Sequence, residues 1–118
     1  HLLVIDDEPM IANVTRRMLA ARGHVVRVAS RPEEALGIWA EHGATIDLVV
    51  CDIAMAQMRG PELITRLADS GITPRVLFIT GYSEEATRSA PGHPVLAKPF
   101  TAAALWGAIS DVVGTNSQ

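Results

Sequence analysis

A chain of 118 residues suits one compact domain with a real core, and its 48% apolar content contains no run that approaches a membrane span in length. A net charge of −3 gives no electrostatic reason to expect direct nucleic-acid binding. The single cysteine, Cys51, excludes an internal disulfide and fits a reducing compartment, and the four histidines are too scattered to suggest zinc.

The first run, "LLVI" (2–5), reads as a strand buried on both faces, and it ends in Asp6, Asp7 and Glu8. Two carboxylates ~4 Å apart near a surface repel by ~4 kcal/mol at an effective dielectric of about 20. Something else in the chain must therefore compensate them, whereas Glu8 reads as solvated or capping. A helix is expected over about 8–22, with Ile11, Val14 and Met18 at i, i+3 and i+7 as its core stripe. "HVVRVA" (24–29) is the second strand. The next helix, 31–42, opens at "SRPE", where Ser30 can cap, Glu33 can complete a capping box and Pro32 sits where proline is tolerated.

"IDLVVCD" (46–52) is the third strand and ends in Asp52; Cys51 faces the opposite way and reads as a small buried hydrophobe. A helix at 61–70 precedes "RVLFIT" (75–80), which ends in Thr80. A short helix at 83–89 is cut off by Pro91, Gly92 and Pro94. "PVLAKP" (94–99) carries Lys98, and a last helix, 101–113, has Thr101 as cap and Leu105, Ile109 and Val112 as its buried stripe. Trp39 and Trp106 fall at packing positions and receive no function. Five strands alternating with five helices imply a parallel sheet covered on both faces by right-handed crossovers.

In such sheets, sites form at the carboxyl ends of the strands. Asp6, Asp7, Asp52, Thr80 and Lys98 all fall there. Three carboxylates in one crevice either hold raised pKa values or bind a cation. Hard oxygen donors without His or Cys favour Mg²⁺ (or Mn²⁺), which takes one or two carboxylates plus phosphate oxygens. A lysine and a hydroxyl nearby suit a phosphoryl group, and Asp52 can act as nucleophile to form an aspartyl phosphate. No Walker-type glycine loop is present, so ATP is not expected as direct donor.

The motifs "VIDDEP", "VVCDIAM", "FITGY" and "LAKPF", in this order and each after an apolar strand, resemble the receiver domain of two-component response regulators. The resemblance covers almost the whole chain. It implies a flavodoxin-like (βα)5 fold, a doubly wound parallel five-stranded sheet in the order 2-1-3-4-5. It also implies Asp52 as phosphoacceptor for a phosphohistidine, with Asp7, Asp52 and the backbone carbonyl of Ala54 as metal ligands and Asp6 acting through water. Lys98 would contact the phosphoryl group, Thr80 would follow it, and the Lys98–Pro99 bond would be cis. Tyr82 and Ala54 would tune access of water to the aspartyl phosphate. Pro99 and Phe100 would meet a histidine kinase or histidine phosphotransfer domain; Ile11 and Val14 read first as core, with contact to the same partner as the alternative the resemblance implies.

Three departures bear on the resemblance. The family's Asp-x-x-Met-Pro is here "DIAMA", with Ala56 in place of proline, expected to loosen the loop and leave the chemistry alone. Val95 stands where an aromatic commonly swings inward, so the usual coupling to Thr80 is expected to be absent or reworked. The stretch between Thr80 and Lys98 is short for a full helix. The texture "GYSEEA…KPF" looks like receivers attached to hybrid sensor histidine kinases. The chain, 1–118, is accordingly expected to be a single receiver domain excised from a longer protein and cytoplasmic, either free or tethered to a membrane-bound sensor.

Other functions fit less well. A stand-alone regulator shares the same chemistry, and an interaction domain without phosphorylation would not need all five site residues. A haloacid-dehalogenase-type hydrolase needs an acid two residues after its nucleophile, where this chain has Ala54. A flavin-binding relative would show a Ser/Thr/Gly-rich loop after the first strand, where Pro9 and Met10 stand.

Overall fold

The computed structural model describes residues 1–81 and 94–114. The short helix expected at 83–89 and Tyr82 lie outside the described residues. The elements run β1 (Leu2–Ile5), α1 (Pro9–Ala20), β2 (Val26–Ala29), α2 (Pro32–His42), a 3-10 turn (Gly43–Thr45), β3 (Leu48–Asp52), α3 (Gly60–Ala68), β4 (Val76–Thr80), β5 (Val95–Ala97) and α4 (Ala102–Gly114). The strands form one parallel sheet in the order β2-β1-β3-β4-β5, as the resemblance implied.

The central strands are buried at every position, and apolar up to the terminal Asp52 of β3 and Thr80 of β4, because both faces of the sheet are covered. Alternate residues divide between two cores. Leu3, Ile5, Val49, Cys51 and Phe78 pack toward α2 and α3, joined by Trp39, Leu63 and Leu67. Leu2, Val4, Val50, Leu77 and Ile79 face α1 and α4, with Leu19, Leu105 and Ile109. Cys51 is fully buried, as expected, and burial pushes its thiol pKa up. The indole N–H of Trp106 donates to the Met18 carbonyl at 3.0 Å, tying α4 to α1. Among the described residues, no helix is long and apolar enough to cross a membrane.

Several boundaries tighten. β2 begins at Val26, two residues after the expected start, because pairing begins at Leu2↔Val26 and leaves Val25 half exposed. β3 begins at Leu48 because the 3-10 turn ends just before Ile46. β5 stops at Ala97, so Lys98 lies one residue beyond it, at the cis Lys98–Pro99 bond.

Two local readings are corrected. The capping box at the start of α2 is shifted by one residue: Pro32 occupies the first helical position, which makes Arg31 the N-cap and Glu34 the third helical residue. Glu34 thus accepts from both the Ser30 N–H (3.2 Å) and the Ser30 hydroxyl (2.9 Å), and these bonds lower its pKa. Thr101 does cap α4, its hydroxyl oxygen accepting the Ala104 N–H at 3.0 Å.

The second correction concerns α1. Its core stripe is Ala12, Thr15 and Leu19, not Ile11, Val14 and Met18. Small side chains at 12 and 15 let the helix lie close on the sheet. Ile11 and Met18 are half-buried beside this contact, and Val14 is 47% exposed. Leu19→Ala should therefore cost about 2–5 kcal/mol in urea unfolding, whereas Val14→Ala should stay within about 0.5 kcal/mol. Equal losses at the two positions would restore the sequence-based stripe.

Candidate functional site

The parallel arrangement brings the carboxyl ends of β1, β3, β4 and β5 to one side of the molecule. Asp6 and Asp7 follow β1, Asp52 closes β3, Thr80 closes β4 and Lys98 follows β5. One oxygen from each of Asp6, Asp7 and Asp52 lies within 4.8 Å of the others. Lys98 Nζ stands 3.3 Å from Asp6 Oδ2 and 3.5 Å from Asp52 Oδ2. Asp6, Asp7, Asp52 and Lys98 are thus brought together, Thr80 closes the neighbouring strand, and Asp6, Asp52 and Thr80 are buried. The backbone also links the two strand ends beside it: the Lys98 N–H donates to the Thr80 carbonyl at 2.6 Å.

Each carboxylate accepts a backbone N–H through one oxygen. Asp6 Oδ1 accepts the Glu8 N–H at 2.9 Å, and Asp52 Oδ1 accepts the Ala54 N–H in a longer contact of 3.4 Å. These are local turns of each residue's own chain. Asp7 differs: its Oδ2 accepts the Ala56 N–H at 2.9 Å, from a loop 49 residues away in sequence. Ala56, expected to leave the chemistry alone, therefore touches a site carboxylate. A replacement of proline by any other residue restores an N–H, and that was the only signal the sequence offered.

Gly60 is the glycine that the resembled motif keeps some residues after the phosphoacceptor, and the structure gives its role. Its N–H donates to the Ile53 carbonyl at 2.8 Å, and a Cβ there would collide with the Asp52 carbonyl oxygen and lie 3.1 Å from Ile53 Cα. Only glycine lets α3 start this close to the strand that carries Asp52.

Burial dominates the electrostatics. It raises the Asp6 pKa against the opposing Glu8 N–H and Lys98, and it raises that of Asp52, with the Asp6 charge adding to the effect. One lysine against three acids leaves two uncompensated negative charges when all are ionised. A divalent cation fits this donor set: all three ligands are hard oxygens, closely spaced, and two of them lie in a buried setting that disfavours their charge.

The expected consequence is that Asp52→Asn stabilises the fold in EDTA, raising Tm on the order of 5 °C, because it removes a buried charge while Lys98 keeps Asp6 as partner. Added Mg²⁺ should raise Tm of the wild type and narrow the gap. A variant that melts lower than the wild type in EDTA would show that the acids are not in conflict.

Apolar residues form a second feature next to the site. Met10, Ile11, Val14 and Met18 of α1 face Pro99 and Phe100 across a shallow groove that reaches Lys98. The four residues expected to meet a partner are thus brought together, and Met10 (81% exposed) and Met18 are additions to them.

Comparison with known proteins agrees with this arrangement. The pattern of the response regulator receiver domain matches residues 2–110. The chain is 35% identical over 104 residues to the sensor kinase CckA of Brucella abortus, an alignment covering 85% of this chain and 11% of that protein. The chain therefore spans only about a tenth of that kinase. The crystal structure of the receiver domain from the hybrid histidine kinase CckA superposes with a TM-score of 0.81 at 33% identity, covering 95% of this chain and 97% of that one. A receiver domain protein from Clostridium thermocellum gives a TM-score of 0.85 at 29% identity, over 97% and 94% of the two chains. With its sheet order, its strand-end acids and lysine and these similarities, the chain belongs to the response regulator receiver domain family of two-component signalling.

Proposed function

We propose that Asp52 accepts a phosphoryl group from a phosphohistidine and that the chain is the receiver of a hybrid sensor histidine kinase. The observation that carries the chemistry is the packing of three carboxylates within 4.8 Å with Lys98 against two of them. A carboxylate oxygen of Asp52 attacks phosphorus; the new P–O bond forms as the P–N bond to the imidazole breaks, and the imidazole keeps the electron pair and takes up a proton. The Lys98 ammonium offsets charge on the phosphoryl oxygens, and the Thr80 hydroxyl, buried at the next strand end, donates a hydrogen bond to them. Asp6, Asp7, Asp52 and the Ala54 carbonyl would hold Mg²⁺ (or Mn²⁺), which when bound supplies further neutralisation of that charge. Tyr82 is proposed to slow hydrolysis of the aspartyl phosphate.

The hybrid-kinase setting rests on the similarity to CckA. Receiver domains of this family interact with histidine kinases or phosphotransfer proteins. The groove of α1 and Pro99–Phe100 suits the apolar face of a helix bearing the donor histidine, since it borders Lys98 and contains few polar atoms.

Incubation with acetyl phosphate should add one phosphoryl mass to the intact protein, with Mg²⁺ but not with EDTA, and not in Asp52→Asn. An adduct that forms in Asp52→Asn would overturn the assignment. For the groove, Val14→Glu should slow transfer from a purified histidine phosphotransfer domain by about tenfold or more, with much less effect on labelling by acetyl phosphate. Equal slowing of both reactions would show that the substitution acts on the site and not on docking.

A further inference from the structure

We infer that the backbone N–H of Ala56 is a positioning group for the metal site, holding Asp7 in its ligand orientation from the loop that follows the phosphoacceptor. This deepens the proposed function and rests on its metal reading. The argument begins with how the three acids are held. Asp6 and Asp52 are each anchored by the N–H two residues further along their own chain, so their carboxylates are oriented by local turns. Among the described residues, Asp7 has no such local partner; its one hydrogen bond is the 2.9 Å contact from Ala56 to Oδ2. A carboxylate is rigid and planar, so fixing one oxygen restricts where the other lies. Asp7 is also the least buried of the three acids, so packing constrains its rotamer least. The Ala56 N–H supplies that choice.

The loop that supplies it is itself well fixed. Ile53 is fully buried and Met55 nearly so, and the Ile53 carbonyl accepts the Gly60 N–H where α3 begins. Ala56 is thus held within one residue of a core anchor. Proline at this position, the residue in the motif this chain resembles, has no N–H and cannot make the contact. The bond is therefore a property of this chain's own sequence. It also makes the coupling reciprocal: if the loop orients Asp7 for a cation, a bound cation must steady the loop by the same factor.

Direct titration with Mg²⁺ by calorimetry, and with Mn²⁺ by electron paramagnetic resonance, tests this on the whole chain. Ala56→Pro should weaken both ions by about 10–100-fold, the usual cost of losing a group that orients a ligand. Ala56→Gly, which keeps the N–H, should stay within about threefold of the wild type although it loosens the loop. Amide exchange followed by NMR provides a readout that does not depend on Ala56→Pro folding. The Ala56 amide should exchange at least about tenfold faster in Asp7→Ala than in the wild type, and Mg²⁺ should slow it in the wild type. Wild-type affinity in Ala56→Pro, equal weakening in Ala56→Gly, or an Ala56 amide indifferent to Asp7 would each overturn this inference and leave the phosphoacceptor reading standing. A wild-type protein that binds neither ion would overturn both.

Discussion

Three carboxylates and one lysine at the carboxyl ends of parallel strands are the constraint on which the rest of this molecule depends. Burial disfavours charge on Asp6 and Asp52, each acid repels the others, and Lys98 can face only two of them. Such a cluster does not assemble by mutual attraction. It is imposed by a core that is apolar on both faces of the sheet, where Leu2 to Ile5 and Leu48 to Cys51 are buried at every position. The strands bring the acids together because they pair in register, Ile5 opposite Cys51, and the polar residues simply follow. Stability invested in the sheet is thereby held as electrostatic strain at the carboxyl ends of its strands, of the kind that a divalent cation offsets.

This explains why so much of the site was legible in the sequence. An apolar run that stops at an acid, a hydroxyl or a lysine gives both the strand and its end, and parallel topology places all such ends on one side. Asp6, Asp7, Asp52, Thr80 and Lys98 were found for that reason. The face of α1 was not legible in the same way. Its two candidate stripes lie side by side on one helix, and the larger apolar residues, Ile11, Val14 and Met18, outweighed Ala12 and Thr15 in any pattern based on hydrophobicity. Close packing selected the smaller residues. The larger ones were left on a surface where Val14 is 47% exposed, a position that makes sense for a docking groove and not for a core.

Backbone groups form the other class that sequence patterns miss. Every residue except proline carries an N–H, so the contact from Ala56 to Asp7 has no side-chain signature. The same holds for Gly60, whose importance lies in the absence of a Cβ next to the Asp52 carbonyl. The shifted cap of α2 has a related cause, since Pro32 sets the helix start by its ring geometry and Ser30 then serves Glu34 from outside the helix.

The two sides of the site are held differently, and this bears on how a change at Asp52 could spread. On the β3 side, the loop is fixed by buried Ile53 and Met55, by Gly60 and by the bond from Ala56 to Asp7, so it ties the end of β1 to the start of α3. On the β5 side, the strand is short and on the sheet edge, and its connection to β4 at the site is the bond from the Lys98 N–H to the Thr80 carbonyl. Val95, 36% exposed, is compact and stiff at χ1, and it has no ring that could rotate between an outer and an inner position. Were Thr80 to shift toward a phosphoryl group, it would find no aromatic switch at that position. The Thr80 carbonyl is bonded instead to the N–H of Lys98, which is followed by Pro99 and Phe100, the residues that form one wall of the α1 groove. Asp52 and the apolar groove are in this way joined, through Lys98, by a few residues of one turn.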